Sequence, residues 1–336
     1  MTIPKTQKAV FFEENGDLDV IKYDDVLVPE IGEGDVLIKN RYAGLNYIET
    51  YFRTGLYPIE KPHILGREAT GEIVKVGSKV DNLKVGEKVG YLSTATFAQY
   101  TRFPATGNIL RLPSDASDEK LKLVAGALLQ GLTALTFIYE AYDVQRNDYI
   151  LVTAAAGGVG LLLCQLLSKL KKAHVIAYAS TDEKLKLAQE AGAEYLINSS
   201  NTTHEQQVEK ILDITGGKGV AASFDSVGRD TAELSLAVIG RKGTFVSFGN
   251  ASGPVPPLQL SRLTAKNLKV VRPTLYGYIT EHEEFEKYTK QLFHLIDSGE
   301  LKIYISRTYP LEKYVDAARE FEGRKTIGKL VFEIPQ

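Results

Sequence analysis

Cysteine is almost absent from these 336 residues: Cys164 is the only one. One thiol cannot form an internal disulfide or build a cysteine-rich zinc site, and a reducing, cytoplasmic compartment is the expectation. The five histidines, His63, His174, His204, His282 and His294, show no metal-ligand spacing, so no metal is expected. An excess of charge of one sign is lacking too. The 40 Lys+Arg and 42 Asp+Glu leave a net charge of −2, which gives the whole chain no drive toward nucleic acid or an anionic membrane. The first eight residues carry no apolar leader core. One stretch, 149–168, is uncharged over the length of a bilayer span. Gly157, Gly158 and Gly160 interrupt it, so a buried strand, a tight turn and a half-buried helix account for it without a membrane.

What is there is a soluble globular composition, 44% hydrophobic and 24% charged, in a chain long enough to bury a sizeable core. The middle alternates strand and helix patterns. Strands are expected at 149–153, 174–179, 194–197, 220–224, 243–248 and 268–271, with helices at 158–170, 182–191, 206–214 and 231–239 between them. Such alternation implies parallel strands joined by right-handed crossovers, and six of them make a complete doubly wound Rossmann sheet. The first third instead shows short strand patterns at 8–12, 35–42, 71–76, 88–91 and 98–103, punctuated by Gly34, Pro58, Gly66, Gly77, Gly86 and Pro104. These describe a mostly antiparallel β unit. Helix and strand patterns return at 283–298, 302–307, 311–320 and 328–332. The expected organisation is therefore an α/β chain with a first catalytic segment, 1–130, a nucleotide-binding domain, 131–272, and a return to the catalytic domain, 273–336.

The segment Ala154-Ala155-Ala156-Gly157-Gly158-Val159-Gly160 carries the most chemical information. It follows the expected strand YILVT and opens the expected helix LLLCQLL, the setting a dinucleotide-binding loop requires. Gly157 and Gly158 allow a tight turn and a close backbone approach to a pyrophosphate, Ala156 and Val159 complete the turn, and Gly160 allows the helix to pack on the sheet. The amides at the helix start then face the anion. Sites that take NADH place an acid about twenty residues on, against the ribose 2′-hydroxyl. Here that place is Ser180, in Ala179-Ser180-Thr181-Asp182-Glu183-Lys184. A small neutral residue followed by Lys184 suits the 2′-phosphate of NADPH, with Ser180 and Ser199 as hydroxyl donors. Asp182, two positions late, is the alternative reading as a ribose acid.

That loop together with GLNYIETYFRTGLYP (44–58), FDSVGRDT (224–231) and SFGNASG (247–253) resembles the zeta-crystallin-like quinone oxidoreductases, the zinc-free branch of the medium-chain dehydrogenase/reductase superfamily. The resemblance spans essentially the whole chain. It implies a GroES-like catalytic domain beside the Rossmann domain, a homodimer, and NADPH-dependent reduction of quinones or α,β-unsaturated ketones. Zinc-dependent relatives have a cysteine where this chain has Asn46, and a His-Glu pair where it has Arg67-Glu68. By the resemblance, Asn46 reaches the nicotinamide, Thr133 sits by the phosphates or nicotinamide ribose, Phe248, Gly249 and Asn250 border the cofactor, and Arg324 adds charge near the 2′-phosphate. Some relatives carry a tyrosine at the place of Ser199.

Without a metal, the chemistry needs positioning, a dry pocket, and a hydrogen-bond donor for the oxygen that gains charge. Asn46, Tyr47 and Tyr51 are the candidates, with Tyr91 a weaker one. His63 reads as structural or substrate-lining, and Cys164, in an apolar helix, as an inert thiol. Alternatives of other classes are an alkenal or enoyl double-bond reductase, an AU-rich RNA-binding protein using the nucleotide cleft, and a structural protein. The edge strand at 268–271 is the expected dimer seam.

Overall fold

The structure is a computed structural model that describes residues 2–324 and 326–336. The chain forms two compact units, Met1–Leu129 with Ile305–Gln336, and Gln130–Tyr304. In chain order the first contributes strands β1 (Thr6–Phe12), β2 (Lys22–Leu27) and β3 (Asp35–Gly44), helix α1 (Ile48–Arg53), strands β4 (His63–Ile64), β5 (Glu68–Val76), β6 (Lys88–Leu92), β7 (Tyr100–Pro104) and β8 (Ile109–Arg111), and most of helix α2 (Asp118–Thr136). The second holds β9 (Tyr149–Thr153), α3 (Gly158–Gln165), β10 (His174–Ala179), α4 (Asp182–Glu190), β11 (Tyr195–Asn198), α5 (His204–Ile214), β12 (Val220–Asp225), α6 (Ala232–Val238), β13 (Ile239–Ser247), β14 (Lys269–Val271), α7 (Leu275–Tyr278) and α8 (His282–Asp297). The chain then returns to the first unit as β15 (Ile305–Pro310), α9 (Tyr314–Glu322) and β16 (Lys329–Glu333).

In the second unit the six strands pair in the order β11-β10-β9-β12-β13-β14, all parallel. This is the doubly wound order, which reverses direction between β9 and β12. The central strands read as continuous apolar runs because both faces are covered: Ile150, Leu151, Val152, Val175, Ile176 and Ala177 are all fully buried. Local chemistry starts the helices. Thr181 accepts the Lys184 amide to begin α4, and Thr203 and Gln206 form a capping box on α5. The uncharged stretch at 149–168 is indeed β9, the glycine turn and α3.

The first unit holds a seven-stranded sheet in which β15-β16-β3-β5-β6-β8 run side by side and β7 also pairs with β3. All its pairings are antiparallel except β15 with β16. A small antiparallel sheet, β2-β1-β4, lies within the same unit. Its core gathers Val10, Phe12, Ile38, Leu65, Phe97 and Phe332.

Three sequence expectations are corrected. The nucleotide-binding unit runs on to Tyr304 rather than ending at residue 272. Residues 273–304 stay with it because α8 buries Phe285, Tyr288, Leu292 and Leu295, and its Gln291 amide donates to the Tyr139 hydroxyl at 3.1 Å. Strand β5 begins at Glu68, three residues before the alternating pattern at 71–76, which places that carboxylate on a buried strand. Finally, the longest helix, α2, lies where no element was expected. It is apolar enough to pass the length and composition test for a membrane span, but most of that surface is buried inside the protein, as in the core helix of a soluble fold.

Candidate functional site

The turn after β9 is built as the sequence implied. Ala154 takes a left-handed φ of 48°, and the Gly157 amide closes the turn on the Ala154 carbonyl at 2.9 Å. Gly157, extended, caps α3. A Cβ on Gly160 would strike the Ala154 carbonyl oxygen and come within 2.8 Å of the Ala155 Cα, so only glycine lets α3 sit this close to the strand end. A Cβ on Gly158 would meet the Gln130 side chain, from α2. The cradle fits a dinucleotide pyrophosphate: bare backbone at the carboxyl end of a central parallel strand, opening a helix N-terminus.

The neighbouring strand ends are held together. The Asp225 carboxylate accepts the Val227 and Gly228 amides, both at 2.9 Å, and the Ser235 hydroxyl at 3.0 Å; burial raises its pKa. Its backbone carbonyl accepts the Phe248 amide at 2.8 Å, and Ser252 donates to Val227 at 2.8 Å. The turns after β12 and β13 are thereby zipped together. Arg272, just after β14, donates to the carbonyls of Ser247 and Gly249 at 2.9 and 3.2 Å. Phe248, Gly249 and Asn250 thus stand on a braced loop, and the Phe248 ring packs edge-on to Phe137 at 5.3 Å. Thr133 is buried on α2. At the ends of β10 and β11, Ser180 is exposed and Lys184 half-buried on the first turn of α4. Ser199 donates from its hydroxyl to the Ala179 carbonyl at 3.3 Å. Asp182, the alternative ribose acid, has one oxygen engaged by the Asn198 amide at 2.6 Å. Arg324 belongs to the first unit, two residues beyond the end of α9.

In the first unit, Asn46 is nearly fully buried. Its Nδ2 donates to Glu68 Oε1 at 2.9 Å and to the Gly44 carbonyl at 3.2 Å, and its Oδ1 accepts from Lys329 Nζ at 2.7 Å. Lys329 also donates to Glu68 Oε1 at 2.6 Å, and Glu68 Oε2 accepts the Leu129 amide at 2.7 Å. Both N–H groups of Asn46 are used, so the donor role the sequence reading gave it is not available; acceptor capacity at Oδ1 is. Burial lowers the Lys329 pKa, and the Glu68 carboxylate beside it opposes that shift.

Tyr47 flanks the start of α1, its ring packed on Tyr51 at 5.5 Å and Phe321 at 5.2 Å. Burial raises its pKa. Tyr51 is buried and packs on Tyr57 at 5.0 Å. Tyr91 is corrected: it is wholly buried and its hydroxyl donates to Asn40 Oδ1 at 2.6 Å, so it serves the core. His63 lies between the Phe12 and Phe52 rings, and burial, aided by Arg67, lowers its pKa to about 4, which keeps it neutral. Cys164 is fully buried, its thiol pushed up to about 12 by burial, inert as expected.

The sequence reading missed Lys329 altogether, and Glu49. The Glu49 carboxyl is fully buried, accepts the Gly66 amide at 3.0 Å, and has its Oε1 without a partner. Burial pushes it up to about 7, partly offset by the Gly66 amide and Arg67. A lysine opening an apolar strand, and a glutamate within a short helix, carry no one-dimensional signal of burial.

Two families match the chain: the alcohol dehydrogenase GroES-like domain at residues 32–114 and the zinc-binding dehydrogenase at 158–294. The "Probable quinone oxidoreductase" of Schizosaccharomyces pombe is 46% identical over 90% of each chain. The chain belongs to the quinone oxidoreductase family. The Escherichia coli quinone oxidoreductase, solved in complex with NADPH, superposes with a TM-score of 0.90 at 36% identity, over 97% of this chain and 99% of that one. A 2-haloacrylate reductase from a Burkholderia species is 32% identical over 98% of this chain and 99% of its own. The second family's name implies zinc, and the residues of this quinone oxidoreductase homologue do not fit it. Where Asn46 and Glu68 meet, the third group is the ammonium of Lys329, a cation with no lone pair to give. Among the described residues no cluster of three His, Cys, Asp or Glu could hold a metal.

Proposed function

We propose that this protein binds NADPH on its Rossmann unit and uses it to reduce quinones without a metal. The observation that carries the reading is the Gly160 contact: α3 sits on the turn after β9, at Ala154 and Ala155, with no room for a Cβ, which leaves backbone amides for a pyrophosphate at the strand end. The NADPH in the similar E. coli enzyme supports the choice of nucleotide. In this reading Ala156, Gly157, Gly158, Val159 and Gly160 cradle the pyrophosphate, while Ser180, Lys184, Ser199 and Arg324 serve the adenosine 2′-phosphate. Thr133, Phe248, Gly249, Asn250 and Asn46 serve the nicotinamide half.

NADPH, when bound, supplies a hydride. The chain's part is orientation and charge. Tyr47, at the start of α1, and Tyr51, on it, stand in an aromatic cluster, exclude water and offer hydroxyl donors to an oxygen that gains negative charge. A second reading, reduction of the carbon–carbon double bond of an enone or haloacrylate, is favoured by the identity shared with the 2-haloacrylate reductase. We further propose a cytoplasmic homodimer that joins two copies through β14, which among the described residues pairs with β13 alone and leaves Val270 exposed.

A fluorescence titration with NADPH and NADH, with and without EDTA, tests the cofactor assignment. Tighter NADPH binding, indifferent to EDTA and weakened by Lys184→Ala, is expected; equal binding of both nucleotides refutes the phosphate site. Steady-state rates with ortho-quinones against alkenals then separate the two substrate readings. Light scattering that finds only monomer at micromolar concentration refutes the dimer.

A further inference from the structure

The amide of Asn46, just before α1, has its orientation imposed by charge. Lys329 Nζ, wholly buried, reaches Asn46 Oδ1 at 2.7 Å and Glu68 Oε1 at 2.6 Å. The same Glu68 oxygen takes an Asn46 N–H at 2.9 Å. An ammonium only donates and a carboxylate only accepts. A flipped Asn46 would set its NH₂ against the ammonium and its oxygen against the carboxylate, two repulsive contacts in a site shielded from water. The rest of the unit is built around the pair. Glu68 Oε2 is pinned by the Leu129 amide at 2.7 Å, and Gly44 leaves out a Cβ that would collide with Glu68 Oε1 and lie 2.7 Å from Lys329 Cε.

We propose that Lys329 and Glu68 are positioning residues that lock Asn46 with its N–H groups turned inward and one lone pair of Oδ1 open, so that Asn46 meets the nicotinamide end of NADPH solely as a hydrogen-bond acceptor. The partners for a fixed acceptor there are the donors of that end of the cofactor, the carboxamide NH₂ and the ribose hydroxyls. The inference rests on the assignment of Asn46 to the nicotinamide half made above. It adds that the ion pair, buried from solvent at both charges, acts on cofactor affinity through Asn46 alone.

A mutant cycle read by NADPH dissociation constant tests this without reliance on turnover. Asn46→Ala is expected to weaken NADPH binding by roughly 3- to 10-fold, the range for one net hydrogen bond. The pair replacement Lys329→Met with Glu68→Gln removes both charges together, which spares the fold an unpaired buried charge, and is expected to weaken binding to a similar extent. The triple variant is expected to match Asn46→Ala, because groups that act through one side chain are not additive. A triple variant that loses the product of the two effects overturns the proposal, since the pair would then be supporting the fold generally. So does a pair replacement with unchanged affinity beside a weakened Asn46→Ala. If Asn46→Ala itself binds NADPH normally, the assignment of Asn46 to the cofactor fails, a result separate from the other two. Should the pair replacement not fold, the wild-type protein still decides: the Asn46 side-chain amide, assigned in NMR spectra by its loss in Asn46→Ala, is expected to show two protons slow to exchange with water. Fast exchange of both overturns the lock.

Discussion

The Arg53 guanidinium, 1% exposed, donates from Nη2 to both oxygens of Glu322, at 2.5 and 2.7 Å, and from Nη1 to the Gly16 carbonyl at 2.6 Å. Arg53 ends α1 and Glu322 ends α9, so the pair fastens the helix that carries Tyr51 and follows Tyr47 to the one that carries Phe321. Thr50 adds a hydroxyl to the same Glu322 oxygen at 2.9 Å. Breaking one partner of a buried pair leaves the other charge uncompensated. Arg53→Ala is expected to cost on the order of 3 kcal/mol in denaturant unfolding, while Arg53→Met combined with Glu322→Leu recovers much of it. A single variant as stable as wild type contradicts this account.

Glu49 makes stability depend on pH. Its carboxyl titrates near 4.5 in the unfolded chain and at about 7 when folded, because burial disfavours the anion. Between these values the folded chain binds a proton that the unfolded chain has released. The contribution of Glu49 is therefore full below pH 4.5 and is lost as pH rises through 7, by roughly 3 kcal/mol at about 1.4 kcal/mol per unit. Glu49→Gln is expected to flatten the profile across that window. Unfolding midpoints measured from pH 4.5 to 8 in both proteins check it, and identical slopes would remove Glu49 from the argument.

The two glycines that open α3 differ in what they face. Gly160→Ala collides with backbone at Ala154 and Ala155, whereas Gly158→Ala meets only the movable Gln130 side chain. Gly160→Ala is expected to destabilise the protein by about 1–3 kcal/mol through overpacking and to abolish NADPH binding. Gly158→Ala should retain measurable affinity. Titration of both variants by nucleotide fluorescence gives the order, and the reverse order would show that the close approach lies at Gly158.

Tyr91 separates core from site. Tyr91→Phe leaves Asn40 Oδ1 without the hydroxyl it accepts at 2.6 Å, at an expected cost of about 1–2 kcal/mol. Rates of quinone reduction should be unchanged, since the hydroxyl is buried in the core. A selective fall in kcat at unchanged stability would return Tyr91 to the catalytic candidates.

Legibility followed the range of the interactions. The glycine turn and the six alternating strands are set by neighbours a few residues apart, so period and spacing expose them. The α2 helix escaped because residues 118–136 are helical through burial, with no amphipathic stripe to mark them. The boundary at 272 misled because helix patterning reports that a face is apolar and is silent on what covers it.

Sequence alone thus determined the doubly wound sheet, the glycine turn that opens α3, and the absence of the cysteine and histidine that zinc would need. Only the tertiary structure decided what replaced them. Asn46 and Lys329 stand 283 positions apart, and β16 reaches β3 by antiparallel pairing. That pairing is fixed by packing over the whole unit, and it brings a lysine, a glutamate and an amide together in a place from which water is excluded. A charge pattern along one dimension cannot encode that meeting, because its energy depends on a burial that every other part of the fold supplies.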